Sequence, residues 1–337
     1  MIVIGAGVVG LTTARALQAA GAQVCVLERE PHPGRESTWA GGGIVSPLQP
    51  WRAPPAIWRL IARSRELYPP LAAELRARTG VDIEYQLCGA RWRGEAPELA
   101  AAQAWHREQG LPCETFREEG QDWLRLPWLG QVRNPRLGRA LAQDLRAQGA
   151  EIRTACPARL LLRGGRVAGA VTAVGQMLEA EAVVVCAGAW AGELLHDAGL
   201  GSPVRPVKGQ MLLKRLPPGL LGEIWLSDAV YLIPRLDGHL LIGSTLEPGG
   251  FDKTPTAAAR QALQQAADRL CPAQAAYPVI AQWAGLRPGS PGGIPQLGAG
   301  GLPGLWLNTG HYRNGIGLAP ACAEALLAEM LKTPLGA

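Results

Sequence analysis

Three glycines and one glutamate near the start of the chain have the spacing of a nucleotide-binding site. The stretch IVIGAGVVGLTTARALQAAGAQVCVLE (2–28) reads as a strand, a turn with Gly5, Gly7 and Gly10, a helix and a second strand. Gly5 permits a tight turn, Gly7 lets the backbone approach a pyrophosphate, and Gly10 lets the helix lie close to the sheet. Glu28 ends the second strand, 18 residues after Gly10, where a carboxylate binds ribose hydroxyls. A purely structural turn is the alternative, but this complete order of elements predicts a dinucleotide site.

The motif leaves NAD and FAD open as ligands, although the acidic Glu28 argues against the 2′-phosphate of NADP. Glu36 and Ser37 precede AGGGIVSP (40–47), whose three consecutive glycines let a backbone pass close to a flat ligand. A mobile surface loop is the alternative for this run. EAVVVCAGAWAGELL (181–195) and the segment 304–331 each read as a further strand, small-residue turn and helix. These features favour FAD, bound by a domain assembled from separated segments.

Further polar residues occur close to the end of the chain. GHYRNGIGLAP (310–320) places His, Tyr, Arg and Asn between glycines, directly before an apolar helix predicted over 319–332. A helix cap needs only one polar residue, so this concentration favours a binding wall, although His311 as a simple cap is the alternative.

Arg287 in WAGLRPG has a planar guanidinium that suits a carboxylate, or is a surface residue before a turn. Tyr231 in an alternating strand is a site residue or ordinary core packing, and a solvated strand-end charge is the simplest reading of Lys208.

The composition excludes several other classes of protein. The 337 residues are 47% apolar, which is enough for a large core, and the net charge of +5 comes without a basic run, so we expect no nucleic-acid partner. The seven cysteines are scattered and include no C-x-x-C pair, so we expect reduced thiols and no metal site. No apolar stretch reaches the ~20 residues of a membrane helix, and the sequence opens directly on a strand. We therefore expect a cytoplasmic protein without a signal peptide or transmembrane segment.

The order of the segments predicts an α/β fold with two domains. Residues 1–48, 135–205 and 285–337 have the strand–turn–helix character of a Rossmann-like FAD-binding domain built from discontinuous segments. Residues 49–134 and 206–284 form the expected substrate-binding domain. The first of these contains an amphipathic helix broken at Pro69-Pro70, and the second contains short alternating strands typical of an antiparallel sheet. We expect an α+β substrate domain centred on that sheet, with ligands in the crevice between the domains.

The motifs together resemble the D-amino-acid oxidase superfamily of flavoproteins, and most closely the glycine oxidases of thiazole (thiamine) biosynthesis. The resemblance covers nearly the whole chain, and the last three motifs below, in their order and spacing, are far more specific than any dinucleotide motif. The motifs are VIGAGVVG (3–10), ESTWAGGGIVSP (36–47), RPVKGQM (205–211), VYLIPR (230–235), WAGLRPGSPGGIPQLG (283–298) and GHYRNGIGLAP (310–320).

The resemblance implies a role for each matched position. Arg287 pairs with the substrate carboxylate, the Tyr231 hydroxyl points at the same group, and Arg313 is a second cation on the substrate side. The resemblance also implies which positions contact a non-covalently bound FAD, and these fall into four groups according to the part of FAD that they contact. They are Gly5, Gly7, Val8, Val9, Gly10, Glu28 and Arg29 along the AMP half, Ala158 at the adenine end, Glu36, Ser37, Gly41, Gly42 and Gly43 beside the flavin, and His311, Tyr312, Arg313, Asn314, Gly315, Ile316 and Gly317 around its pyrimidine end.

The implied activity is oxidative deamination of glycine or another small amino acid to an imino acid and then a 2-oxo acid, with O2 reduced to H2O2. Two positions depart from the glycine-oxidase pattern, because Ala229 stands where that pattern has His and Leu246 where it has Met. Both are expected near the substrate side chain, so larger D-amino acids, sarcosine and D-proline stay open as substrates. Also open are a dehydrogenase that passes electrons to a quinone, a non-catalytic nucleotide-binding module, and assembly into a homo-oligomer.

Overall fold

The computed structural model describes residues 1–332 of the chain. None of the helices in that range is long and apolar enough to cross a membrane. The helices are α1 Val8–Ala19, α2 Ser37–Ala40, α3 Pro55–Thr79, α4 Ala96–Glu108, α5 Asn134–Ala147, α6 Ala191–His196, α7 Ala257–Leu270 and α8 Gly315–Lys332, with short 3-10 helices at Pro50–Arg52, Gly188–Trp190, Pro272–Gln274 and Pro291–Gly293.

The strands of the same range form three sheets. They are β1 Ile2–Ile4, β2 Cys25–Leu27, β3 Ala90–Arg93, β4 Glu114–Glu118, β5 Gln121–Leu126, β6 Glu151–Arg153, β7 Ala158–Arg163, β8 Arg166–Thr172, β9 Met177–Glu179, β10 Val183–Val185, β11 Arg205–Arg215, β12 Ile224–Leu226, β13 Tyr231–Pro234, β14 His239–Gly243, β15 Glu247–Pro248, β16 Val279–Gly289, β17 Gln296–Ala299 and β18 Leu305–Thr309.

The six-stranded sheet has the order β17-β18-β10-β1-β2-β6, and all its pairings are parallel except that of β17 with β18. Alternate residues of β1 enter different cores: Val3 packs with α1, α5 and α8 on one face, while Ile2 and Ile4 pack against β7, β8 and α6 on the other. Burial on both faces explains why these strands are continuous apolar runs. The carboxyl ends of β1, β2, β10 and β18 meet at one edge, which is where ligands bind in such sheets.

The nine-stranded sheet has the order β15-β11-β14-β13-β12-β3-β5-β4, with β16 paired to β11. The pairings of β11 with β14 and β16, and of β13 with β14, are antiparallel, as the alternating pattern predicts. The register places Val207 opposite Arg287 and Tyr231 opposite Gly243. The mixed α/β architecture with a parallel, Rossmann-like sheet and a second, mainly antiparallel sheet is therefore confirmed.

Two local predictions were wrong, and both concern prolines within helices. Helix α3 runs without interruption through Pro69 and Pro70. Both prolines are exposed, so water can bind the two carbonyl groups that lose their N–H partners, while buried residues such as Ile61 and Leu75 hold the helix on either side.

Helix α8 begins at Gly315, four residues earlier than predicted, and includes Pro320. Pro320 has no N–H to donate to the carbonyl oxygen of Ile316, one turn earlier. The hydroxyl of Tyr68 donates to that oxygen instead. Tyr68, from α3, thus replaces the hydrogen bond to the Ile316 carbonyl oxygen that Pro320 cannot make, and the helix can include this proline.

Candidate active site

One cavity of about 780 Å³ brings together most of the predicted site residues. It extends along the carboxyl edge of the six-stranded sheet to the face of the nine-stranded sheet that carries Tyr231 and Arg287. Its size lies within the range of about 300–1,000 Å³ for small-molecule sites. The predicted residues that line it are Gly5, Gly7, Val8, Val9, Glu28, Arg29, Glu36, Ser37, Gly41, Gly42, Gly43, Ala158, Tyr231, Arg287, His311, Tyr312, Arg313, Asn314, Gly315 and Ile316.

The glycine turn after β1 allows three backbones to approach each other closely. Gly5 has φ +106°, and a Cβ there would lie 2.5 Å from the carbonyl oxygen of Cys186. Gly10 is outside the cavity wall, and a Cβ there would lie 1.8 Å from the Gly5 carbonyl oxygen. Gly10 therefore seats α1 on the sheet, as the sequence predicts, without facing the ligand.

The N-terminus of α1 faces the cavity and can bind an anion. The hydroxyl of Thr38 accepts a hydrogen bond from the Val8 N–H at 2.8 Å. The first helical backbone bond is donated by Leu11 to Gly7, so the N–H groups of the intervening Val9 and Gly10 precede the helical ladder. Free N–H groups and the positive end of the helix dipole suit a pyrophosphate.

A buried carboxylate follows β2 at the same edge. Glu28 is only 8% exposed, and its two oxygens accept hydrogen bonds from the N–H groups of Ala6 at 2.7 Å and Glu30 at 2.9 Å. Burial raises the pKa of this carboxyl, and the two N–H donors oppose that shift. Each oxygen retains a lone pair for a ribose hydroxyl. Beside it, the guanidinium of Arg29 lies 3.4 Å from the ring centroid of Trp190.

The triple-glycine loop passes directly under strand β13. A Cβ on Gly42 would lie 2.6 Å from Ile233 Cδ1 and 3.3 Å from the ring of Tyr231, so only glycine fits. The Ser37 hydroxyl donates to the carbonyl oxygen of Leu286 at 2.5 Å, which joins the segment before this loop to β16. The close approach that glycine allows at position 42 is therefore to β13, and a contact of the loop with a flat ligand stays a prediction.

Arg287 enters the cavity from β16 and is held by backbone and hydroxyl oxygens. Nη1 donates to the carbonyl oxygens of Thr245 at 3.1 Å and Lys208 at 3.4 Å, and Nη2 donates to the Ser244 hydroxyl. A Cβ on Gly209, the neighbouring residue of β11, would lie 2.2 Å from Nη1, so glycine there makes room for the guanidinium. None of these partners is an acid, which leaves the positive charge available to an anionic ligand.

Arg313 and Tyr231 line the same part of the cavity. Burial and the charge of Arg287 lower the pKa of the Arg313 guanidinium. The Tyr231 side chain is 8% exposed, and its hydroxyl donates to Met211 Sδ at 3.2 Å. Since a thioether is a weak acceptor, the hydroxyl can turn to a stronger one such as a carboxylate.

The segment 311–317 forms a second wall. The Tyr312 N–H donates to the Pro288 carbonyl oxygen at 2.9 Å, which ties this wall to β16. His311 is 1% exposed, and burial lowers its pKa to about 4, so the imidazole is neutral. Gly317 faces away from the cavity, where a Cβ would lie 2.8 Å from Ile61 Cδ1. Gly317 is therefore a packing residue, whereas the preceding residues line the cavity.

Sequence reasoning missed two cavity residues that have clear roles. Thr38 caps α1 from a segment 30 residues away, and Trp190 stacks under Arg29. Trp190 follows β10 at the carboxyl edge of the sheet, and that position was the available signal.

Two other expectations at or near the cavity are changed, one for Lys208 and one for the pair Ala229 and Leu246. Lys208 is buried and donates to Asp252 at 3.0 Å, so it is not a solvated charge. Ala229 and Leu246 are exposed and do not line the cavity. Within residues 1–332 no cluster of His, Cys, Asp and Glu could hold a metal, and the seven cysteines are free thiols.

The comparisons with known proteins agree with this geometry. The family model described as DAO, FAD dependent oxidoreductase, matches residues 1–330. A curated glycine oxidase of Pseudomonas aeruginosa is 45% identical over 98% of this chain and 94% of its own. A bifunctional ThiO/ThiG protein of Trichormus variabilis is 34% identical over 98% of this chain, which spans about half (52%) of that protein. The crystal structure of glycine oxidase from Geobacillus kaustophilus superposes with a TM-score of 0.90 at 30% identity, over 98% of this chain and 94% of that one.

The residues that line the cavity fit the cofactor of that family. The free N–H groups of α1 suit the pyrophosphate, the buried carboxylate of Glu28 suits the ribose, and the glycine loop and the 311–316 wall line the part of the cavity that is left for a ring system. The fold, the cavity and the match over residues 1–330 lead to one conclusion. The chain belongs to the DAO family of FAD-dependent oxidoreductases.

Proposed function

We propose that this protein catalyses the FAD-dependent oxidative deamination of glycine or a closely related small amine, with O2 as the electron acceptor. The observation that carries the proposal is the pair of guanidinium groups, Arg287 on β16 and Arg313 in the 311–317 wall, which line one cavity together with Tyr231. The hydrogen-bond partners of Arg287 are neutral oxygens, and the charge of Arg287 lowers the pKa of Arg313. Two cations that repel each other across a cavity favour an anionic substrate, such as the carboxylate of an amino acid. The similarity to glycine oxidases supports glycine as the first substrate to test.

The chain's own residues bind and orient the substrate. Arg287 binds the carboxylate through two parallel hydrogen bonds, while Ser244 and the Thr245 carbonyl fix the plane of its guanidinium. Tyr231 and Arg313 complete the carboxylate site, and the α-carbon then faces the space between the glycine loop and the 311–316 wall. The amine reacts in its neutral form and loses its proton to solvent, without a base from the protein.

The bound flavin supplies the two-electron oxidation of the Cα–N bond and returns the electrons to O2, which yields H2O2. The N-terminus of α8 begins beside the cavity, with Asn314, Gly315 and Ile316 in its wall. Its N–H groups and dipole stabilise negative charge there during turnover. The imino acid then leaves, and hydrolysis gives the 2-oxo acid and ammonia.

We further propose the domain division 1–48, 135–205 and 285–337 for FAD, and 49–134 and 206–284 for substrate. Support comes from the six-stranded sheet, whose strands all come from the first set, although β16 continues from the second set to Gly289. A role of the product in thiazole synthesis is supported by the similarity to the bifunctional ThiO/ThiG protein. A cytoplasmic location and a homo-oligomer stay predictions.

Anaerobic titration of the purified protein tests the proposal. Glycine, sarcosine, D-proline and D-alanine are added in turn while the visible absorbance of the flavin is recorded. Bleaching by glycine or sarcosine, followed by peroxide formation on admitting air, supports an oxidase. Bleaching without reoxidation by air, but with turnover of an artificial acceptor, would identify a dehydrogenase. A yellow protein that none of the amines bleaches would contradict the proposed activity.

A further inference from the structure

A buried arginine without an acidic hydrogen-bond partner follows strand β13. Arg235 is 7% exposed, and Nη1 donates to Gln131 Oε1 at 2.6 Å and to the Val132 carbonyl oxygen at 2.9 Å. Nη2 donates to the Gly42 carbonyl oxygen at 2.8 Å and to Asn134 Oδ1 at 3.3 Å. All four acceptors are neutral. Burial lowers the pKa of Arg235 to about 10, so the group is still charged at neutral pH.

Asn134 continues this network to the segment that precedes the triple-glycine loop. It is 1% exposed, and its Nδ2 donates to the carbonyl oxygens of Gly41 at 2.9 Å, Trp39 at 3.2 Å and Thr38. Its Oδ1 accepts from Arg235. Arg235 and Asn134 together therefore bind four carbonyl oxygens of residues 38–42, and we call these two residues the carbonyl clasp.

The loop that the clasp binds, Gly41–Gly43, has no side chains that could stabilise its conformation. Gly43 has φ +80°, and a Cβ there would lie 2.2 Å from the Val132 carbonyl oxygen. Glycines also have the greatest backbone freedom of all residues, so the loop gains little order from its own sequence. Its conformation must come from outside, and the clasp supplies hydrogen bonds from Asn134 and one from Arg235 to the Gly42 carbonyl oxygen, which is stronger because its donor is charged.

The clasp also joins the cofactor wall to the substrate wall. Arg235 comes four residues after Tyr231, at the end of the same strand, and Gly42 packs against the Tyr231 ring. Burying an unpaired guanidinium is costly, and a side chain that only filled space there would avoid that cost. The charge is therefore best explained by what it holds in place, which is the Gly42 carbonyl group in the cavity wall.

We propose that Arg235, acting with Asn134, is a positioning residue for the cofactor, which fixes the Gly41–Gly43 loop in the conformation that receives the flavin ring. The inference depends on the proposed placement of the flavin half beside this loop, and it does not depend on which amine is the substrate. It predicts that loss of the clasp weakens binding of the flavin half and leaves binding of the adenosine half intact.

The test compares FAD with ADP as ligands of the apoprotein. FAD affinity is measured by quenching of flavin fluorescence, and ADP affinity by competition with FAD. The variant R235K keeps the positive charge, and R235M removes it. The variant N134D keeps an oxygen that accepts from Arg235, but it lacks the N–H donor to the carbonyl oxygens of Thr38, Trp39 and Gly41. R133M is the matched control, because Arg133 precedes Asn134 but pairs with Glu84 and Asp237 at 3.4 and 2.7 Å.

The expected FAD dissociation constant rises about 10-fold in R235K and about 100-fold in R235M, the scale of one or two lost charge-assisted hydrogen bonds, and about 100-fold in N134D, the scale of several lost neutral ones. ADP binding stays within about twofold of the unchanged protein in all variants, and R133M binds both ligands normally. The circular dichroism of bound flavin in the visible range changes in R235K, which a merely structural residue would not alter.

Unchanged FAD affinity in R235M and N134D would overturn the proposal. An equal loss of FAD and ADP affinity would also overturn it, because that result means general loss of structure. If R235M does not fold, R235K and N134D decide the question by the same ratio of FAD to ADP affinity. None of these measurements uses turnover, so failure of the clasp and failure of the proposed amine oxidation are distinguishable.

Discussion

Arg287 and Arg313 line the same cavity from two walls, and the charge of Arg287 adds to burial in lowering the pKa of Arg313. Like charges so placed destabilise each other until an anion binds between them. Arg287 is held by Ser244 and by backbone carbonyl oxygens, so its position is set before any ligand arrives. The pair is therefore suited to bind a carboxylate, as the proposed function requires.

Replacing Arg287 by alanine should raise KM for glycine by roughly 10- to 150-fold, the range for losing a hydrogen-bonded charge, while FAD stays bound. The reason is that Arg287 contacts the substrate end of the cavity and not the α1 end. Steady-state kinetics and the flavin absorbance of the purified variant measure the two effects. R63A is the control, since Arg63 pairs with Glu324 on the protein surface. Normal kinetics in R287A would remove the carboxylate role.

The sequence predicts those parts of the site that depend only on residues close together in the chain. The turn with Gly5 and Gly7, the acid after β2 and the polar segment before α8 are each read from a few consecutive residues. The carbonyl clasp is different, because Asn134 and Gly41 are 93 residues apart, and nothing in the sequence around Asn134 links it to the glycine run. Long-range partners of this kind exist only after folding.

The same reason explains the wrong helix boundary at α8. Pro320 is a sound boundary signal when only local hydrogen bonds are considered. The Tyr68 hydroxyl changes this, because it satisfies the Ile316 carbonyl oxygen from a helix 248 residues earlier in the chain. A proline within a helix is tolerated where another residue replaces the lost donor.

Replacing Tyr68 by phenylalanine should destabilise the protein by roughly 1–3 kcal/mol, because the buried carbonyl group of Ile316 then has no donor. Urea unfolding of the holoenzyme measures the change. The matched control is Y85F: the Tyr85 ring stacks on that of Tyr68 at 5.7 Å and is only half-buried. Equal stability of Y68F and Y85F would contradict a special role of the hydroxyl.

His311 should make the stability of the protein depend on pH. Its pKa falls from the ordinary value of 6.5 to about 4 on folding, because burial disfavours the charged imidazole. Between these two values the unfolded chain binds a proton that the folded chain does not bind, so stability decreases as pH falls from 6.5 towards 4. The contribution of this group over that interval is roughly 3 kcal/mol.

Urea unfolding at pH 7, 6 and 5 with excess FAD checks this prediction. The variant H311Q should lose stability less steeply with falling pH than the unchanged protein, whatever its stability at pH 7. H196Q is the control, because His196 is exposed at the end of α6. The assignment fails if H311Q and the unchanged protein have the same pH slope.

A segment attached to the nine-stranded sheet packs against the end of the cavity that Arg29 and Trp190 line, where we expect the adenosine half of FAD to bind. Phe251, which follows β15, stacks on Trp190 with ring centroids 5.4 Å apart, and Arg29 covers the Trp190 ring. Lys253 Nζ donates to Glu36 Oε1 at 2.8 Å. One aromatic contact and one ionic contact therefore join this segment to Trp190 and Glu36, which line the cavity. We expect both contacts to slow the release of FAD.

Replacing Phe251 by alanine should weaken FAD and ADP binding in parallel by about 3- to 10-fold, the scale of one aromatic pair, with KM for glycine unchanged. The parallel loss follows from the position of Trp190 at the adenosine end, and it contrasts with the selective loss of FAD affinity expected for Arg235 variants. F116A is a matched control, since Phe116 also stacks on a tryptophan, Trp123, at 6.4 Å, but lies outside the cavity wall. Equal retention of FAD by F251A and F116A in competition and release-rate measurements would show that the stack with Trp190 does not help to hold the cofactor. Of the contacts that this segment makes, only the Lys253–Glu36 pair could then slow the release of FAD.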